Sequence, residues 1–251
     1  MDLPILERLR GYADSHITDF HWQRLRLLDE ISLDQLLTTN FYLFIAKNTI
    51  EPAGNLVGQF LDAFLLSHEE DLFGDFLRDL AVFTAETICG GHKSTAPGVD
   101  LEFINSGIHY VISIKSGPSW GNSSQQDKLE QDLKDAVTRV KQSKRGGNVQ
   151  PVLGICYGKT KTSYLRGYMK VVGQNFWYLI SENRDLYTDI IEPIGYRARE
   201  HNETFLAEKS RVTNRFTKQF IDRFCDESGT IDWVKLVEFN SGNFDLDQFL
   251  P

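Results

Sequence analysis

PGVDLEFINSGIHYVISIKSGPSWGNSSQ, residues 97 to 125, decides the fold class, because here the apolar spacing changes from helical to alternating. Asp100 and Glu102 point one way, while Val99, Leu101 and Phe103 point the other. Ser113 and Lys115 share a face opposite Tyr110, Ile112 and Ile114, and Asn105-Ser106-Gly107 signals a turn between the two runs. If the loop proper is Ser106 and Gly107, Asp100 falls opposite Ser113 and the apolar sets share one face. A loop one residue longer would mismatch the faces. The parity therefore predicts a hairpin that gathers Asp100, Glu102, Ser113 and Lys115.

Outward from the hairpin the pattern is helical on both sides. Residues 2 to 37 carry Leu25, Leu28, Ile31 and Leu36 at helical spacing, and residues 55 to 89 continue it until Gly90 and Gly91 stop it. After the loop, residues 123 to 144 read as a helix with Ser123 or Ser124 as cap, acids early, bases late and Gly146-Gly147 as its end. Lys141, Lys144 and Arg145 would complement its C-terminus. PVLGICYG (151 to 158) reads as a buried strand and YMKVV (168 to 172) as a candidate strand. QNFWYLI (174 to 180) suits a short helix and residues 205 to 227 a longer one. Strand, strand, helix, strand within helical flanks predicts an α/β fold with a mixed central sheet. The expected organisation is one domain over 1 to 251. It comprises a largely helical region to residue 70, an α/β core over 71 to 195 and a helical region from 196.

Composition bounds the function classes. At 251 residues with 41% hydrophobic and 25% charged residues, the chain is an ordinary globular one with ample core. MDLPILERLRGYAD lacks the apolar run of a signal peptide and no later stretch suits a bilayer span, so a soluble cytoplasmic protein is expected. Cys89, Cys156 and Cys225 stand far apart as expected core thiols, and the six histidines are scattered, which argues against zinc. A net charge of -8 argues against a general polyanion binder.

An aspartate and a lysine facing each other at one rim of a sheet suit phosphodiester hydrolysis. The carboxylate can bind Mg²⁺, and the ammonium can orient a water or stabilise the pentavalent charge. The plainer reading is a solvated polar face. GPSWGNSSQ is likewise either a loop leading to a helix cap or a phosphate cradle. Its glycines allow close backbone approach, and Asn122, Ser123, Ser124 and Gln125 supply neutral donors at a helix N-terminus, with Trp120 at the core edge. In YGKTKTSYLRGYMK, Lys159, Lys161, Arg166 and Lys170 interleave with Tyr157, Tyr164 and Tyr168, either a solvated face or a contact surface for a nucleic acid.

PGVD followed by ISIK resembles the motif of the PD-(D/E)XK nuclease superfamily, with Pro97 and Asp100 in the first element and Ser113, Ile114 and Lys115 in the second. IKSGPSWGNSSQ, VLGICYGK, FWYLI and GTIDWVKLVEFN, in that order across about residues 70 to 240, resemble type II restriction endonucleases, in particular a group that cuts short palindromes interrupted at the centre. The resemblance implies a Mg²⁺-dependent, sequence-specific endonuclease on double-stranded DNA, acting as a two-fold homodimer without a nucleotide cofactor. It implies that Asp100 and the backbone carbonyl of Ile114 bind metal and that Lys115 positions the attacking water. It also implies that Trp120, Asn122, Ser123, Ser124, Gln125, Lys159, Lys161 and Arg166 meet DNA. The chain departs from the motif at Ser113, where an acid is expected; Glu102, Glu86 or Glu130 would have to replace it. Two alternatives remain at this point: a repair or junction-resolving nuclease on the same core, and a DNA-binding protein that has lost catalysis with its second acid. The acidic pI is compatible with DNA, whose dense charge, one per roughly 1.7 Å, makes local contacts dominate. Remote acids are screened beyond about 10 Å.

Overall fold

The computed structural model describes residues 3–39, 42–46, 52–143, 147–195 and 198–245. The chain begins with α1 (Leu3–Glu30), α2 (Leu33–Thr38), α3 (Tyr42–Ala46) and α4 (Ala53–Ile88). The hairpin region follows as β1 (His92–Lys93), β2 (Leu101–Asn105) and β3 (Ile108–Lys115), then α5 (Ser123–Gln142). Next come β4 (Asn148–Ile155), β5 (Ser163–Leu165), β6 (Tyr168–Val172) and α6 (Gln174–Ser181). The short α7 (Leu186–Asp189) and α8 (Ile191–Ile194) lead to α9 (Ala198–Phe224) and α10 (Trp233–Ser241). This is the α/β architecture with helical flanks that the periodicity predicts. Its contacts group the chain into two compact units: residues 1–20 with 71–196, and residues 21–70 with 197–251.

The first unit holds a mixed sheet, six-stranded among the described residues, in the order β1-β2-β3-β4-β6-β5. β3, β4 and β6 run parallel, while β1, β2 and β5 join antiparallel. β2 and β3 pair with Leu101 opposite Ile112 and Asn105 opposite Ile108, leaving only Ser106 and Gly107 in the turn, both at positive φ. Over Leu101–Asn105 this is the register that the parity selects, but it ends there. The Asp100 N–H donates at 2.8 Å to the carbonyl of Ile112, already the partner of Leu101, so Asp100 does not pair opposite Ser113, and Val99 packs in the α5 core rather than with Leu101 and Phe103.

The two faces bury separate cores. Leu101, Phe103, Ile112, Ile114, Val152 and Val171 pack with apolar residues of α1, α4 and α6. Val111, Leu153, Ile155 and Val172 pack with Leu129, Leu133, Ala136 and Val140 of α5. β4 begins at Asn148, three residues before the strand expected from Pro151; the proline lies where β6 has not yet begun to pair, so its missing N–H is tolerated. Asn122, not Ser123 or Ser124, caps α5. Its side chain accepts from the Gln125 N–H while Gln125 accepts from the Asn122 N–H, a reciprocal box that a serine one residue later is already too far into the helix to make. Lys144, Arg145 and Gly146 lie outside the described residues.

The second unit is helical, built on Leu28, Leu36, Leu37, Phe60, Leu61, Phe216 and Phe220. Of the three cysteines only Cys156 is fully buried; Cys89 and Cys225 are half-buried, and all three are free thiols. No described helix is long and apolar enough to cross a membrane.

Candidate active site

Asp100 sits immediately before β2 and Lys115 at the end of β3, so the antiparallel pairing of the two strands brings both to one rim of the sheet. The Ile114 N–H donates to Asp100 Oδ2 at 2.6 Å, which fixes that carboxylate against the β3 backbone. Burial is the main influence on Asp100 and pushes its carboxyl above the ordinary range. The Ile114 N–H and the charges of Lys115, Arg78 and Lys93 pull it back. Lys115 Nζ lies 5.3 Å from the centroid of the Trp120 ring, a cation–π contact that seats the ammonium beside the half-buried loop indole. Ser113 is 1% exposed, facing the α5 core, and offers the rim no charge.

None of the three acids weighed from sequence meets Asp100. Glu102 is turned to Arg139 of α5 while Asp100 is turned to Arg78 of α4, so the two do not share a face as expected. The buried Glu102 carboxylate accepts from Ser94 at 2.6 Å and from Arg139, and approaches His109 Nε2 at 3.1 Å. Burial would raise its carboxyl; those partners hold it below its usual range. This is a structural cluster tying the segment just after β1 to β2, β3 and α5. Glu86 is exposed on α4, about 12 Å along the helix axis from Arg78 at 1.5 Å per residue. Glu130 pairs with Lys134 at 2.6 Å and with Arg166 at 3.7 Å.

The neighbouring acids come instead from α4. Arg78 lies 4.0 Å from Asp100, 2.9 Å from Asp75 and 4.0 Å from Asp79. That turn of the helix rests on the end of β3: a Cβ on Gly74 would sit 3.2 Å from Ser116 Oγ, the residue after Lys115. Sequence reasoning passes over Asp75, Arg78 and Asp79. The available signal is DFLRDL itself, acid, base and acid at helical spacing inside an otherwise apolar run.

The loop after Lys115 is held by close backbone packing. A Cβ on Gly117 would meet the Tyr157 ring at 2.6 Å, and the Tyr157 N–H donates to the Ser116 carbonyl at 3.0 Å. Asn122, Ser123, Ser124 and Gln125 are all exposed at the N-terminus of α5. The cap uses the amide oxygens of Asn122 and Gln125 and leaves their NH₂ groups as donors. Lys159 and Lys161 are exposed in the loop between β4 and β5. Arg166, at φ 49 in the β5–β6 turn, is instead committed to Asp127 and Glu130. Beside the rim opens a mostly apolar cavity of about 720 Å³, lined by Phe73, Leu77, Cys156, Tyr157 and Trp177 among others.

Among the described residues no three Asp, Glu, His or Cys side chains form a ready metal cage. The donors near the rim are hard oxygens converging on a cationic group, the donor type that Mg²⁺ prefers. No curated protein matches the chain. One family does: residues 7–202 match the model of the type II restriction endonuclease EcoO109I.

Proposed function

The chain belongs to the restriction endonuclease family of EcoO109I, and from that premise we propose that it is a Mg²⁺-dependent type II enzyme of the PD-(D/E)XK kind. It cuts both strands of DNA at a short palindrome interrupted at its centre. It works in the cytoplasm as a homodimer without a nucleotide cofactor, because two cuts related by the two-fold axis of the site ask for two active sites related the same way. The observation that carries this reading is the meeting of Asp100, the Ile114 backbone and Lys115 at one rim of the sheet.

In this reading Asp100 and the Ile114 carbonyl hold Mg²⁺, and Asp75 supplies the acid that Ser113 lacks; its support is the contact of Asp75 and Asp100 with the same guanidinium. Bound Mg²⁺ supplies charge neutralisation at the scissile phosphate. Lys115 leaves the Trp120 face to orient the attacking water and to donate to the phosphoryl oxygens. The N-terminus of α5, with the NH₂ groups of Asn122 and Gln125 and the hydroxyls of Ser123 and Ser124, grips the adjoining backbone phosphate. Lys159 and Lys161 reach along the duplex. Arg166 joins them only by leaving its carboxylate partners.

Incubation of the protein with plasmid and Mg²⁺ tests the reading: discrete fragments are expected, and sequencing their ends gives the site and the stagger. Lys115→Ala should lower cleavage by roughly 10³-fold. It should weaken site binding by about tenfold or less, the worth of one charged hydrogen bond. Specific binding by the wild type with no cleavage would favour a DNA-binding protein that has lost catalysis, and cleavage of branched junctions alone would favour a resolving enzyme.

A further inference from the structure

The nuclease chemistry above has no part for Arg78, yet its guanidinium is the group on which three carboxylates from two segments converge. Asp75 and Asp79 stand on one face of α4, one turn apart, and Asp100 approaches from the turn just before β2. An arginine cannot discharge itself by losing a proton, so it can leave the cluster only by moving. Its side chain is 37% exposed, so a path to solvent is open.

We propose that Arg78 is a resident counter-ion: it holds Asp75, Asp79 and Asp100 together in the metal-free protein and swings out when a divalent cation enters. The inference rests on the reading of the rim as the metal site of a nuclease. The physical case is competition for the same oxygens. A guanidinium delivers one diffuse positive charge to three carboxylates, whereas a divalent ion delivers two at closer range. With the guanidinium in place, a metal must displace it, which lowers affinity in the free protein. When DNA is bound, the displaced fork finds a phosphate, the partner its planar geometry suits. Metal and DNA then bind with positive coupling, each stabilising the state with Arg78 turned out.

Mn²⁺ binding to the DNA-free protein, read from the EPR signal of the free ion, tests this without any turnover. Arg78→Gln should bind Mn²⁺ on the order of tenfold more tightly than the wild type, within the usual range of such couplings. Arg78→Met, which keeps the apolar stem, should do the same, and Arg78→Lys should fall between. Asp100→Asn should abolish the tight site in the Arg78→Gln background. Circular dichroism confirms that each variant is folded. Equal or weaker Mn²⁺ binding by the folded neutral variants, or none by any protein, overturns the proposal. If the wild type still cuts plasmid with Mg²⁺ while the variants bind no more tightly, only the counter-ion role fails; if the wild type cuts nothing, the nuclease reading itself fails.

Discussion

Asp100 is held in two opposing ways. The Ile114 N–H and nearby cations favour its charged form, while burial disfavours it more strongly, and the net effect is a raised carboxyl pKa. A carboxyl that is raised on folding contributes stability that is present below its unfolded pKa and lost as pH rises through its folded value. At neutral pH the ionised Asp100 therefore costs stability that a bound cation would restore. Asp100→Asn should melt higher than the wild type at pH 7, with the gap closing as pH falls into the carboxylate range. Mg²⁺ should raise the Tm of the wild type more than that of the variant. A lower Tm for the variant at pH 7 would show that its hydrogen bond to Ile114 outweighs desolvation. The rim position of Lys115 was legible from sequence because a two-residue turn leaves one register, whereas Asp100 reaches the same rim from just before the paired residues, where the alternation no longer holds. Arg78 was not legible, because it lies 22 residues before Asp100 and only the packing of α4 on the end of β3 brings it there.

Among the elements, the join between α5 and β2 depends on one residue of the PGVD turn. Gly98 has φ +70, and a Cβ there would fall 2.2 Å from Asp132 Oδ2 on α5. Left-handed backbone costs a residue with a Cβ about 1–2 kcal/mol before any clash is counted. Gly98→Ala should therefore destabilise the protein by about 1–3 kcal/mol in urea unfolding. It should also lower cleavage more than site binding, since the turn that leads into Asp100 must shift. Unchanged stability would mean that Asp132 turns aside and the turn relaxes freely. The long helices and the hairpin were readable because periodicity accumulates over many residues. β1 and β5, of two and three residues, carry too few alternations to register and exist because β2 and β6 offer them edges. The cap of α5 lies one or two residues before the serines expected to form it, because Asn122, Ser123 and Ser124 are all good caps by type and only the reciprocal bond with Gln125 selects Asn122.

Across the whole molecule, the two units carry buried ionisable groups of opposite sign in their response to acid. In the helical unit His21 is 8% exposed and stacks on His201 at 4.4 Å between ring centroids. Its Nδ1 lies 3.3 Å from Arg24, which also bonds Glu69 at 2.8 Å and Asn202 at 3.1 Å. Burial, then His201, then Arg24 push the His21 pKa from 6.5 down to about 4. Because the unfolded chain binds that proton more readily, the contribution of His21 is present above about pH 6.5 and is lost as pH falls towards about 4. Asp100, in the α/β unit, runs the other way, since protonation relieves its desolvation. Acid should thus weaken the helical unit first. The four tryptophans divide two to each unit, Trp120 and Trp177 in one and Trp22 and Trp233 in the other, so Trp→Phe pairs let fluorescence report each melt separately. The helical-unit signal should shift to lower temperature between pH 6.5 and 4.5 ahead of the α/β signal. The Tm advantage of the wild type over His21→Gln should shrink over the same interval, because glutamine keeps a neutral amide and has no proton to gain. An advantage that stays constant or grows on acidification would remove His21 as the source of the acid response and leave the carboxylates of that unit to account for it.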